Sequence, residues 1–140
     1  MEKRTVDKTV DLPLQAQEDV VSARQSVRSY AVALGLSLVD QTKLVTAASE
    51  LARNAVLHGG GGTMKLEVVE QNSRRGIRLT FEDRGPGIAD IERALQDGYT
   101  TGGGLGLGLG GAKRLANEFA IESTVGAGTK VVITQWTKLR

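Results

Sequence analysis

The chain has no cysteine and a single histidine, His58. The first absence excludes disulfides, thiolate chemistry and cysteine-bound zinc, and the second excludes a metal site built from several imidazoles. No apolar run is long enough to cross a bilayer, and Met1-Glu2-Lys3-Arg4 leads into no signal-like apolar segment. Together these absences lead to the expectation of a cytoplasmic protein with no membrane partner. An excess of one charge is missing too. Lys and Arg number 18 against 16 Asp and Glu, a net charge of +2, and the basic residues are scattered. Nothing in that balance supports nucleic-acid binding. Several nucleotide signatures are also lacking. There is no Gly-x-x-x-x-Gly-Lys-Ser/Thr, and Gly128-Thr129-Lys130 is only a superficial likeness. The ordinary protein-kinase signatures are absent. Gly106-x-Gly108-x-x-Gly111 has dinucleotide spacing, but Asp97-Gly98-Tyr99-Thr100-Thr101 before it does not read as a strand, and too little chain follows for a Rossmann half.

What the chain does have is glycine among leucines, in Gly102-Gly103-Gly104-Leu105-Gly106-Leu107-Gly108-Leu109-Gly110-Gly111. Ala112, Leu115, Ala116 and Phe119 follow at helical spacing, so the stretch reads as a glycine-rich loop feeding a helix N-terminus. Free N–H groups and the positive end of the helix dipole meet there, a setting that suits phosphate oxygens. A flexible linker would carry serine rather than leucine between its glycines.

The 140 residues are expected to form one domain, 1–140, with a sizeable core. Thr5 to Leu12 reads as an edge strand with Val6, Val10 and Leu12 on one face, closed by Pro13. Gln15 to Leu34 carries a helical stripe of Val20, Ala23, Val27, Tyr30, Ala31 and Leu34, ended by Gly35. Its other face holds Glu18, Asp19, Arg24, Gln25 and Arg28, a solvated or partner-binding surface. A second helix runs from a Ser37 cap to about His58. Leu44, Val45, Ala48, Leu51, Ala52 and Ala55 bury one side, while Glu50, Asn54 and His58 lie at i, i+4, i+8 along another line. Thr63 to Gln71 and Gly76 to Asp83 read as strands around the turn Asn72-Ser73-Arg74-Arg75. In the second strand Ile77, Leu79, Phe81 and Asp83 share a face, so a carboxylate ends an apolar row and needs a partner there. The bland alternative is an Asx turn at a strand end. Asp90 to Gly98 suggests a short helix, and Phe119 to Val125 with Thr129 to Trp136 a terminal hairpin.

Glu50-x-x-x-Asn54, Asp83-x-Gly85-x-Gly87, Gly104-x-Gly106-x-Gly108 and Gly128-Thr129, in this order over nearly the whole chain, resemble the motif set of the GHKL ATPases, the superfamily of gyrase, Hsp90, histidine kinases and MutL. Ser49-Glu50-Leu51-Ala52-Arg53-Asn54, Glu82-Asp83-Arg84-Gly85-Pro86-Gly87-Ile88 and Lys113-Arg114-Leu115 are most similar to the anti-sigma-factor serine/threonine kinases of that superfamily, in particular the stressosome switch kinases. Gly110 stands where that group has proline, and His58 where it often has an aromatic.

The resemblance implies an α/β chain with the Bergerat ATP-binding fold: an α+β two-layer sandwich with a mixed, mostly antiparallel sheet, helices on one face, and a lid from about Arg84 to Gly104. It implies that Asp83 accepts from the adenine amino group, with Gly85 and Gly87 letting the backbone pass close to the base and Thr129 supporting both. Asn54 would hold Mg²⁺, Glu50 would act as catalytic base, and Gly104, Leu105, Gly106, Leu107 and Gly108 would cradle the phosphates of ATP. Arg53 and His58 are further candidates for the pocket, or plain helix surface. A domain this short would carry no transducer or dimerisation module. The implied function is ATP-dependent phosphorylation of a STAS-domain antagonist protein in a bacterial partner-switching pathway, with a second role in binding and activating a PP2C-type phosphatase. A direct anti-sigma factor and a nucleotide-gated binding module without significant catalysis are the alternatives.

Overall fold

A computed structural model of the chain describes residues 3–96 and 108–138. The elements are β1 (Thr5–Leu14), α1 (Gln17–Leu34), α2 (Leu38–Leu57), β2 (Gly62–Gln71), β3 (Arg74–Asp83), a single-turn helix α3 (Ile91–Ala94), α4 (Gly108–Leu115), β4 (Glu118–Thr124) and β5 (Gly128–Trp136). The five strands form one sheet in the order β1-β2-β3-β5-β4.

All four pairings are antiparallel, so the sheet is not mixed as expected. Tight hairpins join β2 to β3 and β4 to β5, and such links allow only antiparallel pairing. The first hairpin is tighter than the sequence suggested. Gln71 pairs with Arg74, leaving Asn72 and Ser73 alone in the turn at φ 57° and 62°. Both are left-handed, as the twist of a two-residue hairpin requires.

The core can be read row by row across the sheet. Val10, Leu66, Leu79, Ile133 and Phe119 are successive register partners through all five strands, and Leu12, Met64, Phe81, Val131 and Ile121 make the next row. Helices α1 and α2 cover this face, with α4 packed on α2. Val20, Ala23, Val27 and Ala31 of α1 are buried, as are Leu44, Val45, Ala48, Leu51, Ala52 and Ala55 of α2. Gly35 ends α1 in the left-handed region at φ 89°, and the Ser37 hydroxyl accepts from Asp40 N at 3.1 Å to start α2. At the other end of α1, the Asp19 carboxylate accepts from Gln15 N at 2.7 Å and Ala16 N at 3.1 Å, so the helix begins at Gln17 rather than Gln15.

Three further expectations change. Pro13 does not close β1. It pairs with Thr63 inside an edge strand, where its missing N–H can face outward without loss. Val6 leaves the face of Val10 and Leu12, because an irregularity between Val6 and Lys8 pairs it with Val69 on the opposite side. Phe119 belongs to β4, as the hairpin reading has it, and not to the helical spacing of Ala112, Leu115 and Ala116, and Asn117 makes the break. Its N–H donates to Gln135 Oε1 at 2.9 Å and its Oδ1 accepts from Trp136 N at 2.8 Å. On the outer face Trp136 lies against Gly76, where any Cβ would strike the indole, between the guanidinium groups of Arg4 and Arg74 at 4.9 and 4.7 Å from the ring centre.

Candidate functional site

One register step beyond the two apolar rows, the same face of the sheet turns polar. Leu14, Gly62, Asp83, Thr129 and Ser123 are partners in sequence across the five strands. This row borders a cavity of about 400 Å³, a volume in the range of small-molecule sites. Leu51 and Ala55 of α2, Phe81 of β3, Val131 of β5 and Leu109 of α4 form its apolar wall. Ile88, Asp90 and Arg93, from the segment after β3, form another side.

Of the residues singled out in the sequence, Asn54, His58, Asp83, Gly87, Gly108 and Thr129 line this cavity together. They come from α2, β3, the turn after β3, the start of α4 and β5. The remaining ones stand elsewhere. Gly85 is not in the wall. Its N–H donates to Asp83 Oδ1 at 2.9 Å, which is the Asx turn anticipated as the plain reading. Glu50 and Arg53 are not in the wall either. The Glu50 carboxylate is 4% exposed and accepts from Arg53 Nη1 at 3.0 Å. Gly104, Leu105, Gly106 and Leu107 lie outside the described residues, as does the end of the expected lid. The expected helix from Asp90 shrinks, within the described residues, to Ile91–Ala94, capped by the Asp90 carboxylate accepting from Arg93 N at 3.1 Å.

The glycines near Asp83 explain how tightly this end is built. A Cβ on Gly59 would collide with the Asp83 carboxyl group, and one on Gly128, at φ 115°, with the Asp83 carbonyl oxygen. A Cβ on Gly85 would come within 2.6 Å of the Gly59 backbone. The close approaches allowed by Gly59, Gly85 and Gly128 are therefore between protein segments, and they pack the chain after α2, the end of β3 and the start of β5 closely around Asp83, with Gly59 against its carboxylate. Gly59 and Ser123 were missed in the sequence. Gly59 was legible only as a helix stop, and Ser123 sits in an alternating strand that gave no sign of its partners. Gly110, which departs from the resembled pattern, has a local cause: a Cβ there would run into the Leu95 carbonyl oxygen at the end of α3.

Chemically, the row offers a carboxylate and a hydroxyl beside an apolar slot, with the amide of Asn54 and the start of α4 further along. That combination suits a flat heteroaromatic base carrying a hydrogen-bond donor, with a polar tail. The profile of histidine kinase-, DNA gyrase B- and HSP90-like ATPases matches residues 24–138. The chain belongs to that family. It is 44% identical to the serine/threonine-protein kinase RsbT of Bacillus subtilis over 123 residues, covering 88% of this chain and 92% of the relative. It is 31% identical to the anti-sigma F factor of Geobacillus sp. (strain WCH70), over 81% of this chain and 82% of that one. Among solved structures, the RsbU and RsbW domains of Rv1364c from Mycobacterium tuberculosis superpose with a TM-score of 0.64 at 22% identity, covering 96% of this chain and 34% of that chain. The sensor histidine kinase MprB superposes with a TM-score of 0.53 at 19% identity. These two likenesses speak for the fold alone. No described helix is long and apolar enough to cross a membrane.

Proposed function

We propose that this chain is a cytoplasmic serine/threonine protein kinase that binds ATP with the adenine against Asp83 and Thr129 and phosphorylates a STAS-domain antagonist protein. The observation that carries the reading is the Asp83 carboxylate, standing at the end of a buried apolar row and lining a cavity that also takes in Asn54, His58 and Thr129. The adenine amino group would donate to the carboxylate, and the apolar wall would take the faces of the base. Asn54, on the cavity side of α2, supports placing Mg²⁺ there. Among the described residues no three His, Cys, Asp or Glu side chains gather to hold a metal. A single neutral amide oxygen suits an ion whose other ligands are phosphate oxygens and water. When bound, the ion would offset phosphate charge. The first residues of α4 and the glycines before it would hold the phosphates.

Glu50, one helical turn before Asn54, would take the proton of the attacking serine or threonine hydroxyl. That oxygen then bonds to the γ-phosphorus as the bond to the ADP oxygen breaks. Its present hold by Arg53 places it beside the cavity rather than in it, so the docked partner must bring the hydroxyl to Glu50. A second role follows the same lineage: once the antagonist is phosphorylated and leaves, the freed chain would bind the regulatory domain of a PP2C-type phosphatase. The anti-sigma F relative supports a second reading, direct sequestration of a sigma factor.

Intact-mass analysis of a STAS-domain partner, incubated with the chain, ATP and Mg²⁺, tests the kinase reading. One phosphate per partner is expected, and Glu50→Ala should slow transfer by about 10²–10⁴-fold while ATP still binds. Nucleotide-dependent complexes that never yield a phosphoprotein would reduce the chain to a binding module. Co-purification with a sigma factor, and inhibition of its transcription, would favour the direct anti-sigma reading.

A further inference from the structure

Ser123 lies behind the cavity, on the edge strand β4, and no motif points to it. Three hydrogen bonds converge on its hydroxyl. Ile88 N donates to Oγ at 2.8 Å, Oγ donates to the carbonyl oxygen of Gly128 at 3.2 Å, and Thr129 Oγ1 lies 2.8 Å away. A hydroxyl has one proton and two lone pairs. The Gly128 carbonyl has no proton to give, so that contact takes the proton of Ser123. The Ile88 amide fills one lone pair. The bond to Thr129 must then be donated by Thr129 into the other.

This fixes the Thr129 proton away from the cavity. What Thr129 presents to the cavity is lone pairs, beside the acceptor oxygens of Asp83 in the same row. Two neighbouring acceptors call for a donor on the ligand. The exocyclic amine of a 6-aminopurine supplies one, whereas the 6-oxo group of hypoxanthine or guanine brings a third acceptor. We propose that Ser123 is a positioning residue for base selection: by consuming the Thr129 proton it makes that hydroxyl an obligate acceptor, so the site rejects 6-oxopurines. The inference rests on the reading of the cavity as the adenine site.

Ser123 also ties this choice to the chain that follows β3. Ile88 lines the cavity, and the turn before it is held to the β4–β5 hairpin by Gly126 N donating to Pro86 O at 2.8 Å. Removing the Ser123 hydroxyl therefore releases both the Thr129 proton and the Ile88 amide.

The test is calorimetric binding of ATP and ITP, which share the ribose and the triphosphate. In Ser123→Ala, Thr129 is free to rotate its proton into the cavity and donate to the 6-oxo group. The ratio of ITP to ATP dissociation constants should fall about fivefold to tenfold. Ser123→Thr keeps the hydroxyl on a strand position that accepts branching, and should restore the ratio. Thr129→Val, which leaves Ile88 held, should narrow the ratio comparably, and adding Ser123→Ala to it should change the ratio no further. General loosening of the fold would weaken both nucleotides alike and leave the ratio unmoved. A ratio in Ser123→Ala within about twofold of the parent overturns the inference. If Ser123→Ala does not fold, an unchanged ratio in Thr129→Val does so in its place. Asp83→Asn belongs in the same series. Loss of ATP there with an unchanged ratio in Ser123→Ala sinks the Ser123 role alone, while unchanged ATP affinity in Asp83→Asn sinks the adenine reading and this inference with it.

Discussion

The inner face of the sheet carries a polar side chain of note near each end, Gln135 and Asp83, and the two are built to opposite purposes. At one end Val68, Ile77 and Gln135 are register partners, and Gln135 is 1% exposed. Its carbonyl oxygen accepts from Asn117 N, and Asn117 in turn accepts from Trp136 N, so the polar group is enclosed and answered by the chain itself. At the other end Asp83 has one answered oxygen, held by Gly85 N, and among the described residues no donor reaches the second. Gly59, Gly85 and Gly128 keep the surrounding backbone tight, yet that row borders a cavity. Two polar side chains at the ends of apolar rows thus look alike in an alternating strand pattern. They differ in whether the fold supplies the missing partner or leaves room for a ligand to do so.

The comparison can be broken by exchanging the expected effects of its two ends. Asp83→Asn keeps the size of the side chain and turns part of an acceptor into a donor. ATP affinity should fall by about 1.5–3 kcal/mol, with thermal stability little changed. An unaltered affinity in the folded variant would put Asp83 in the same structural class as Gln135. Gln135→Leu should do the reverse, and more weakly. It preserves volume but removes the part-buried hydrogen bond from Asn117 N, a residue that water can still reach. Chemical denaturation should show a loss of about 0.5–1.5 kcal/mol while ATP titrations overlay the parent. A drop in ATP affinity comparable to that of Asp83→Asn would erase the distinction between the ends.

How much of this was legible beforehand follows from the same rows. The period of two in Ile77, Leu79, Phe81 and Asp83 was enough to place a carboxylate on the core face, and helical spacing put Glu50, Asn54 and His58 on one helix. What spacing cannot give is the rotation of that helix over the sheet. Asn54 and His58 line the cavity, whereas Glu50 turns under the surface to Arg53. Strand periodicity also carries no register. Val6 fell on the wrong face because one extra residue near Asp7 reverses the alternation. The Asp83–Thr129–Ser123 row exists only once three strands are aligned. The departure at Gly110 needed the position of Leu95, a contact between two helices that no local pattern encodes.

The smallest expected effect concerns Arg53 and sharpens the contrast from the helix side. Two roles remain distinct for it: a contact to the nucleotide, as the sequence suggested, or a clasp on Glu50, as the 3.0 Å ion pair indicates. Its guanidinium lies outside the cavity wall and its side chain is 25% exposed, while the Glu50 side chain it holds is only 5% exposed. Solvent screens the Arg53 end alone, so removing the charge should lower stability by less than the loss of one partner of a fully buried pair. Arg53→Gln can still donate a hydrogen bond, which limits the loss further. If Arg53 acts through Glu50, ATP affinity should stay within about twofold of the parent while phosphotransfer to a saturating partner falls severalfold, because only the orientation of the base is disturbed. A nucleotide contact would instead weaken ATP binding and leave transfer at saturation intact. The first pattern would make the buried carboxylate on α2 an intermediate case between Gln135 and Asp83: answered by the chain at rest, and available to chemistry when a substrate hydroxyl arrives.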